Sequence, residues 1–373
     1  MNDFSLQPSE SIIFALRALY DRYGYSRYKM NKFEEYDLYA KNKDFLISDG
    51  VITFTDTNGR LMALKPDVTL SIVKNTRDVP GAVQKLYYNE NVYRVSKGTR
   101  SFKEIMQVGL EAIGDVDAYC VYEVIKLAAE SLLCTGRNCV LEVSHLGLLS
   151  DVFGYAGIPA GDKNRVLRCL GEKNPHELAD ICRELKLSDE KTALIKRLAS
   201  VYGSPDEVMP EITAMLSGIV CEKTLADFVK IISALNRRDA QNMIRIDFSV
   251  VDDMRYYNGF VFKGFAEGIP SGVLSGGQYD TMMRKMNRAS GAIGFAVYLD
   301  LIEQYGQSAA EYDVDCLLIY DENADISFIE AQAKRLTENG ESVLLQKNVP
   351  PSVKYRRLIT IAGGEVKTVE KDA

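Results

Sequence analysis

Glu104-Ile-Met-Gln-Val-Gly-Leu-Glu-Ala-Ile113 is the stretch on which the reading of this chain turns. Its residues alternate with a period of two, the mark of a strand with unlike faces. Gln107, Gly109 and Glu111 fall on one face. Gly109 removes a side chain between two polar ones and opens a notch. Gln offers a donor and an acceptor, and Glu an anion, which suits a ligand carrying an ammonium group.

Outward from this strand, residues 86–95 read as its partner, joined to it by the polar loop Ser96-Lys-Gly-Thr-Arg-Ser101. Upstream, residues 51–55 and 60–64 read as a hairpin closed around Asn58-Gly59. Leu64-Lys-Pro-Asp-Val-Thr-Leu70 follows, and Asp67 and Thr69 could fix an amino group from one side. The same residues also fit a turn in which Pro66 and Asp67 end a strand. Far downstream stand Arg255-Tyr-Tyr-Asn-Gly259 and Gly276-Gly-Gln-Tyr-Asp280. Two tyrosines and a glycine pair can wall a flat ring and donate hydroxyls to its nitrogens. Tyrosines in strands are equally at home as half-buried packing residues.

The remaining pattern predicts helices over 9–23 and 117–133 and a strand over 138–143. Between 160 and 236 strand signals vanish, which implies a helical insertion. Strands return at 244–251, 256–265 and 272–275, before a Gly-rich turn at 275–280. Residues 311–373 read as a small α/β unit, with strands at 314–320, 343–345 and 358–362 and a helix at 328–338. Hairpins without regular βαβ alternation give an α+β class, an antiparallel sheet flanked by helices over residues 1–310.

Composition narrows the chemistry. The chain has 373 residues, is 46% hydrophobic, and carries a formal charge of −7, which argues against a polyanion as main partner. Its seven cysteines are odd in number and form no C-x-x-C, so neither a disulfide framework nor a zinc site is expected. His145 and His176 are the only histidines, too few for a His-rich metal site or a His-based triad. His145 reads as a structural residue at a strand end. Neither a P-loop nor a dinucleotide fingerprint occurs, and no cofactor is expected. No signal peptide and no membrane-spanning apolar run is apparent, so a cytoplasmic protein is expected.

Taken together, the motifs resemble one family. Leu64-Lys-Pro-Asp-Val-Thr69 is similar to the L-R-P-E-G-T segment of histidyl-tRNA synthetases. Tyr93-Arg94, the glycine-containing loop and Gln107-Val-Gly-Leu-Glu111 look like that family's class II motif 2 with its flanking strand. Asp252-Asp-Met-Arg-Tyr-Tyr257 stands against R-G-L-D-Y-Y, and Gly276-Gly-Gln-Tyr-Asp280 against G-G-R-Y-D. Gly294-Phe-Ala-Val-Tyr-Leu-Asp-Leu301 stands against the motif 3 pattern G-F-A-x-G-x-E-R. The resemblance covers roughly residues 9–150 and 240–303. It implies a class II synthetase-like fold in which Asp67, Thr69, Gln107, Glu111, Tyr256 and Tyr257 contact histidine. Arg94, Gly109, Arg255, Gly277 and Tyr279 are candidates for the rest of the pocket.

The cationic half of the pattern is broken. Arg94 keeps the motif 2 arginine, but Asp252 and Leu301 stand where the resemblance implies two more, and Ser96 replaces a glutamate implied to contact adenine. Adenylation builds charge on a phosphate and needs preorganised cations. No catalytic residue is therefore assigned. About sixty residues follow the core, short for an anticodon-binding domain, so no tRNA is expected as partner. The pattern resembles the synthetase-like regulatory subunits of ATP phosphoribosyltransferase. That resemblance implies histidine as ligand, a short-form catalytic subunit as partner, and a homodimer within a hetero-oligomer. It also implies activation and feedback inhibition in the first step of histidine biosynthesis. A divergent synthetase or other amino-acid-adenylating enzyme is the competing assignment.

Overall fold

The structure, a computed structural model, describes residues 8–46, 50–95, 101–237, 243–251, 256–306, 312–362 and 365–370. It divides into two compact units, Met1–Tyr305 and Gly306–Ala373.

In chain order the first unit begins with α1 (Pro8–Arg22), β1 (Ser26–Arg27), β2 (Phe33–Glu35), α2 (Tyr36–Lys41), β3 (Thr53–Thr55), β4 (Leu61–Leu64) and α3 (Thr69–Asn75). The long pair β5 (Val83–Val95) and β6 (Phe102–Gly114) follows, then α4 (Ala118–Leu133), β7 (Cys139–His145) and α5 (Leu146–Ala156). A helical stretch holds α6 (Lys163–Gly171), α7 (Pro175–Glu184), α8 (Asp189–Ser200), the two-residue β8 (Tyr202–Gly203), α9 (Pro205–Leu216) and α10 (Glu222–Asn236). The unit closes with β9 (Ile244–Asp247), β10 (Phe260–Ala266), β11 (Leu274–Gln278), α11 (Asp280–Lys285), β12 (Gly291–Tyr298) and α12 (Leu299–Gly306).

Nine strands form one sheet in the order β1-β5-β6-β12-β11-β10-β7-β9-β8. From β5 to β7 every pairing is antiparallel. The expected antiparallel sheet is thus present, with parallel pairs added toward its edges, where β1 runs parallel to β5 and β9 parallel to β7. The physical reason is connection length: parallel neighbours need a long crossover, and the helical stretch between β7 and β9 supplies one.

The alternation in β6 decides what each face does. Val108, Leu110 and Ala112 join the main core with Leu16 and Tyr20 of α1 and Val121, Val124 and Ala128 of α4. Helix α4 starts where it does because the Asp117 carboxylate accepts from the Cys120 N–H at 2.8 Å. The opposite face of the sheet meets a second apolar cluster, in which Leu70, Ile72 and Val73 of α3 pack with Tyr88, Met282 and Met283. The β3–β4 hairpin turns at Gly59, whose φ of 78° lies in the left-handed region. Asp56 accepts from the Asn58 and Arg60 N–H groups there, each at 2.8 Å.

Three sequence readings shift. Residues 275–278 are strand β11 and not a Gly-rich turn. Glycine is required there by packing: a Cβ at Gly276 would sit 2.4 Å from Phe295 Cβ, and one at Gly277 2.7 Å from the Tyr257 ring. Strand β10 begins at Phe260, so Tyr256 and Tyr257 precede it in a turn. β12 carries no strand reading in the sequence, yet it pairs with both β6 and β11.

The second unit is a four-stranded sheet, β14 (Val343–Gln346), β13 (Val314–Tyr320), β15 (Tyr355–Ala362) and β16 (Glu365–Glu370), with one helix, α13 (Ile326–Glu338). Cys316, Leu318, Ile359 and Ile361 pack with Ile329 and Leu336 of that helix. All seven cysteines are free thiols.

Candidate functional site

The cleft opens on the face of the sheet away from α1 and α4. Its floor is made of small residues on adjacent strands. Gly294 lies directly opposite Glu111, Ala296 opposite Gly109, and Ser275 opposite Ala296. Its walls are polar groups and tyrosines: Asp67, Thr69, Tyr88, Gln107, Glu111, Tyr256, Tyr257, Tyr279 and Tyr298, with Arg94. The empty space between these residues, counting what is open to solvent, is about 430 Å³. All six residues expected to contact the ligand line this cleft, although they come from three separate segments.

Glu111 is the centre of the inner end. It is 2% exposed, and each carboxylate oxygen accepts one hydroxyl: Thr69 Oγ1 donates at 2.7 Å and Tyr279 Oη at 2.6 Å. Gly294 makes this possible, since a Cβ there would stand 1.8 Å from Glu111 Oε2. Burial pushes the Glu111 carboxyl up to about 8, against the pull of the two hydroxyls. Burial likewise drives the Tyr88, Tyr256 and Tyr279 phenols well above their ordinary value, and the neighbouring Glu111 charge adds to it. The ring of Tyr256 meets Tyr257 edge-on at 4.5 Å between centroids and tilts against Tyr279 at 5.9 Å.

Asp67 is placed by the start of α3. Its carboxylate accepts from the Leu70 N–H at 2.9 Å, so the residue caps a helix as well as lining the cleft. Burial raises its carboxyl, opposed by that N–H and by Arg94. The segment is held against β5 by the Tyr93 N–H on Lys65 O at 2.8 Å. The Lys65 side chain is fully buried and pairs with Glu90 at 2.9 Å. Glu90 is thus the partner of Lys65 and not of Arg94. Arg94 instead donates from Nε to Pro66 O at 3.0 Å, which aims it along the Asp67 loop.

Two glycines play roles other than the ones expected. Gly109 lies on the cleft face, but its notch is filled. A Cβ there would meet Tyr88 Oη at 2.5 Å, because Tyr88 is its direct partner on β5. Gly277 lines no wall; it makes room for the Tyr257 ring. Gln278, in place of the arginine of the G-G-R-Y-D pattern, accepts from the Phe260 N–H at 2.8 Å and so fixes the start of β10. Asn258 donates to Asp280 at 3.1 Å, and Asp280 accepts from the Ala292 N–H at 2.9 Å, tying the tyrosine turn to β12.

Arg255 and Asp252 lie outside the described residues, as do Ser96 and most of its loop. Leu301 packs against the main core and lines no part of the cleft. His145 is buried, caps α5 by accepting from the Leu148 N–H at 3.2 Å, and sits edge-on to Phe260 at 4.8 Å. Burial brings its imidazole down to about 4, so it is neutral. Among the described residues no group of three His, Cys, Asp or Glu could hold a metal ion, and no helix is long and apolar enough to cross a membrane.

Sequence reasoning missed Tyr88, Gly294 and Tyr298 as cleft residues. Their signal is cross-strand register, which becomes visible only once β5, β6 and β12 are aligned.

A family model described as histidyl-tRNA synthetase matches residues 6–302. The ATP phosphoribosyltransferase regulatory subunit of Oceanobacillus iheyensis is 23% identical over 369 residues, which cover 97% of this chain and 90% of that protein. The protein of the same name from Clostridium kluyveri is 28% identical over 339 residues, covering 87% of this chain and 85% of that one. The crystal structure of an ATP phosphoribosyltransferase regulatory subunit/histidyl-tRNA synthetase from Bacillus halodurans C superposes with a TM-score of 0.73 at 25% identity. That match covers 96% of this chain and 97% of the other.

Proposed function

The chain belongs to the histidyl-tRNA synthetase family, and from that premise we propose that it is a non-catalytic regulatory subunit of ATP phosphoribosyltransferase that binds histidine. Its partner is a short-form catalytic subunit, and histidine is the feedback signal. The names carried by its full-length relatives support the regulatory assignment. The cleft supports the ligand. Asp67 and Gln107 suit the α-ammonium group, and Glu111 with the tyrosine wall suits the imidazole.

One observation carries the non-catalytic part. Leu301, where the synthetase pattern has an arginine, packs half-buried against the core, and the described lining of the cleft offers Arg94 as its single cation. Stabilising a phosphoryl transition state with so little positive charge would forfeit orders of magnitude in rate. Regulation then needs an assembly with two states that hold histidine with different affinity. A homodimer inside a larger hetero-oligomer supplies such an assembly without tRNA.

The test is a pair of measurements. Calorimetry of the full chain with histidine, in the absence of ATP and tRNA, is expected to give saturable binding. Mixing with a short-form ATP phosphoribosyltransferase is expected to raise its turnover, and histidine to lower it again. Histidine-dependent exchange of pyrophosphate into ATP by the chain alone would overturn the assignment.

A further inference from the structure

The pocket face of β12 reads Gly294, Ala296, Tyr298, and all three line the cleft. The first two leave the floor open. The third is the first residue of that row with bulk, and it ends the strand. Tyr298 pairs with Gln107 on β6, which pairs in turn with Glu90 on β5, so the tyrosine stands at the end of the cleft away from Glu111. Its backbone is fixed there by its N–H on Val273 O at 2.8 Å. The motif pattern that the segment otherwise follows has glycine at this position, so the bulk is particular to this chain's version of the strand.

Arg94 lies at the same end and is the cation among the described lining residues. An α-amino acid whose ammonium group rests on Asp67 and Gln107 therefore turns its carboxylate toward Arg94 and Tyr298. Beyond Tyr298, burial raises the Asp300 carboxyl, opposed first by the Leu301 N–H and then by the charges of Lys103 and Arg94. One of its oxygens is buried with no hydrogen-bond partner among the described residues. Bulk thus stands where any group attached through the ligand's carboxyl would have to pass.

We propose that Tyr298 is a specificity-determining residue that closes the carboxyl end of the cleft, so that the site accepts a free α-amino acid and rejects acyl derivatives such as esters, amides and acyl phosphates. The inference rests on the histidine-binding reading above. It gives that reading a mechanism for ignoring the aminoacyl intermediates on which a synthetase acts.

Calorimetry of the full chain with L-histidine, its methyl ester and its benzyl ester tests it. Both esters lack the carboxylate charge, so the difference between them reads bulk alone. The wild-type chain is expected to hold the benzyl ester at least about tenfold more weakly than the methyl ester, and Tyr298→Ala to shrink that ratio to less than about threefold. Tyr298→Phe, which keeps the bulk, is expected to leave the ratio as in the wild type. Equal affinity for the two esters in the wild-type chain overturns the gate, and this arm requires no variant to fold. An unchanged ratio in a folded Tyr298→Ala also overturns it. If the folded wild-type chain binds no histidine at all, the ligand assignment fails instead, and the gate with it.

Discussion

The two ends of one cleft are built by different rules. At the inner end, Glu111, Thr69 and Tyr279 form a closed set in which each carboxylate oxygen has its own hydroxyl. At the outer end, Arg94 spends its Nε on a backbone carbonyl, Tyr298 supplies bulk, and Leu301 packs half-buried against the core. The difference teaches that a closed polar set and a cation-poor end can be built side by side on a single sheet. The inner end requires small residues on the neighbouring strand to admit its carboxylate, and Gly294 is kept. The outer end requires cations for adenylation, and there the pattern is broken.

The largest effect should come from breaking the inner end. Glu111→Ala is expected to weaken histidine binding by about 100-fold, roughly 2.7 kcal/mol, measured by calorimetry. A change of less than about threefold would show that the ligand does not reach Glu111.

Next in size is a pH effect. The folded-state carboxyl of Glu111 titrates near 8, above its ordinary value of 4.5. Between those values the folded chain binds the proton more tightly than the unfolded chain, so stability is full at low pH and falls as pH rises. Urea unfolding at pH 6 and pH 8 should show a loss on the order of 2 kcal/mol in the wild type that is absent from Glu111→Gln. Burial also raises the Asp67 and Asp300 carboxyls, and both groups are the same in the two chains, so the difference between the chains reads Glu111. Parallel profiles for the two chains would mean that Glu111 is already ionised in the empty cleft.

Arg94→Ala should cost about tenfold in histidine affinity, roughly 1.4 kcal/mol, less than the inner substitution. If it cost more, the comparison of the two ends would be inverted.

The smallest effect is expected from Leu301→Arg. It should give no histidine-dependent pyrophosphate exchange and cost about 1 kcal/mol of stability, because it removes an apolar contact with the core. Detectable exchange would show that one arginine suffices to restore the reaction.

Much of this was legible in the sequence, and the limits have physical causes. Period-two alternation set the faces of β6, and the Asn58-Gly59 turn set the hairpin, because both signals are local. The family resemblance gathered Asp67, Thr69, Gln107, Glu111, Tyr256 and Tyr257 before their geometry was known. Register was not legible. Whether Gly109 is an open notch or the seat of Tyr88 depends on which residue of β5 stands opposite. Gly276 and Gly277 look like a turn to any local reading, because the Phe295 Cβ and the Tyr257 ring that exclude a Cβ are remote in the chain. Arg255 and Asp252 fall outside the described residues, so their part in the comparison stays with the sequence.

The parallel pairing of β7 with β9 bears on how this chain can be edited. Leu141 pairs with Ile244 and Val143 with Ile246, so a chain leaving the end of β7 must travel back the length of the strand before β9 can begin. A hairpin loop cannot do this; about a dozen residues or more are needed. The stretch from α5 to α10 is therefore a bridge as well as an insertion. It also brings β8, which pairs antiparallel with β9 at the end of the sheet. An engineer seeking a minimal core could shorten that bridge but not cut it out. Joining β7 directly to β9 would force β9 to reverse or leave the sheet, and would strip β7 of its neighbour on that side.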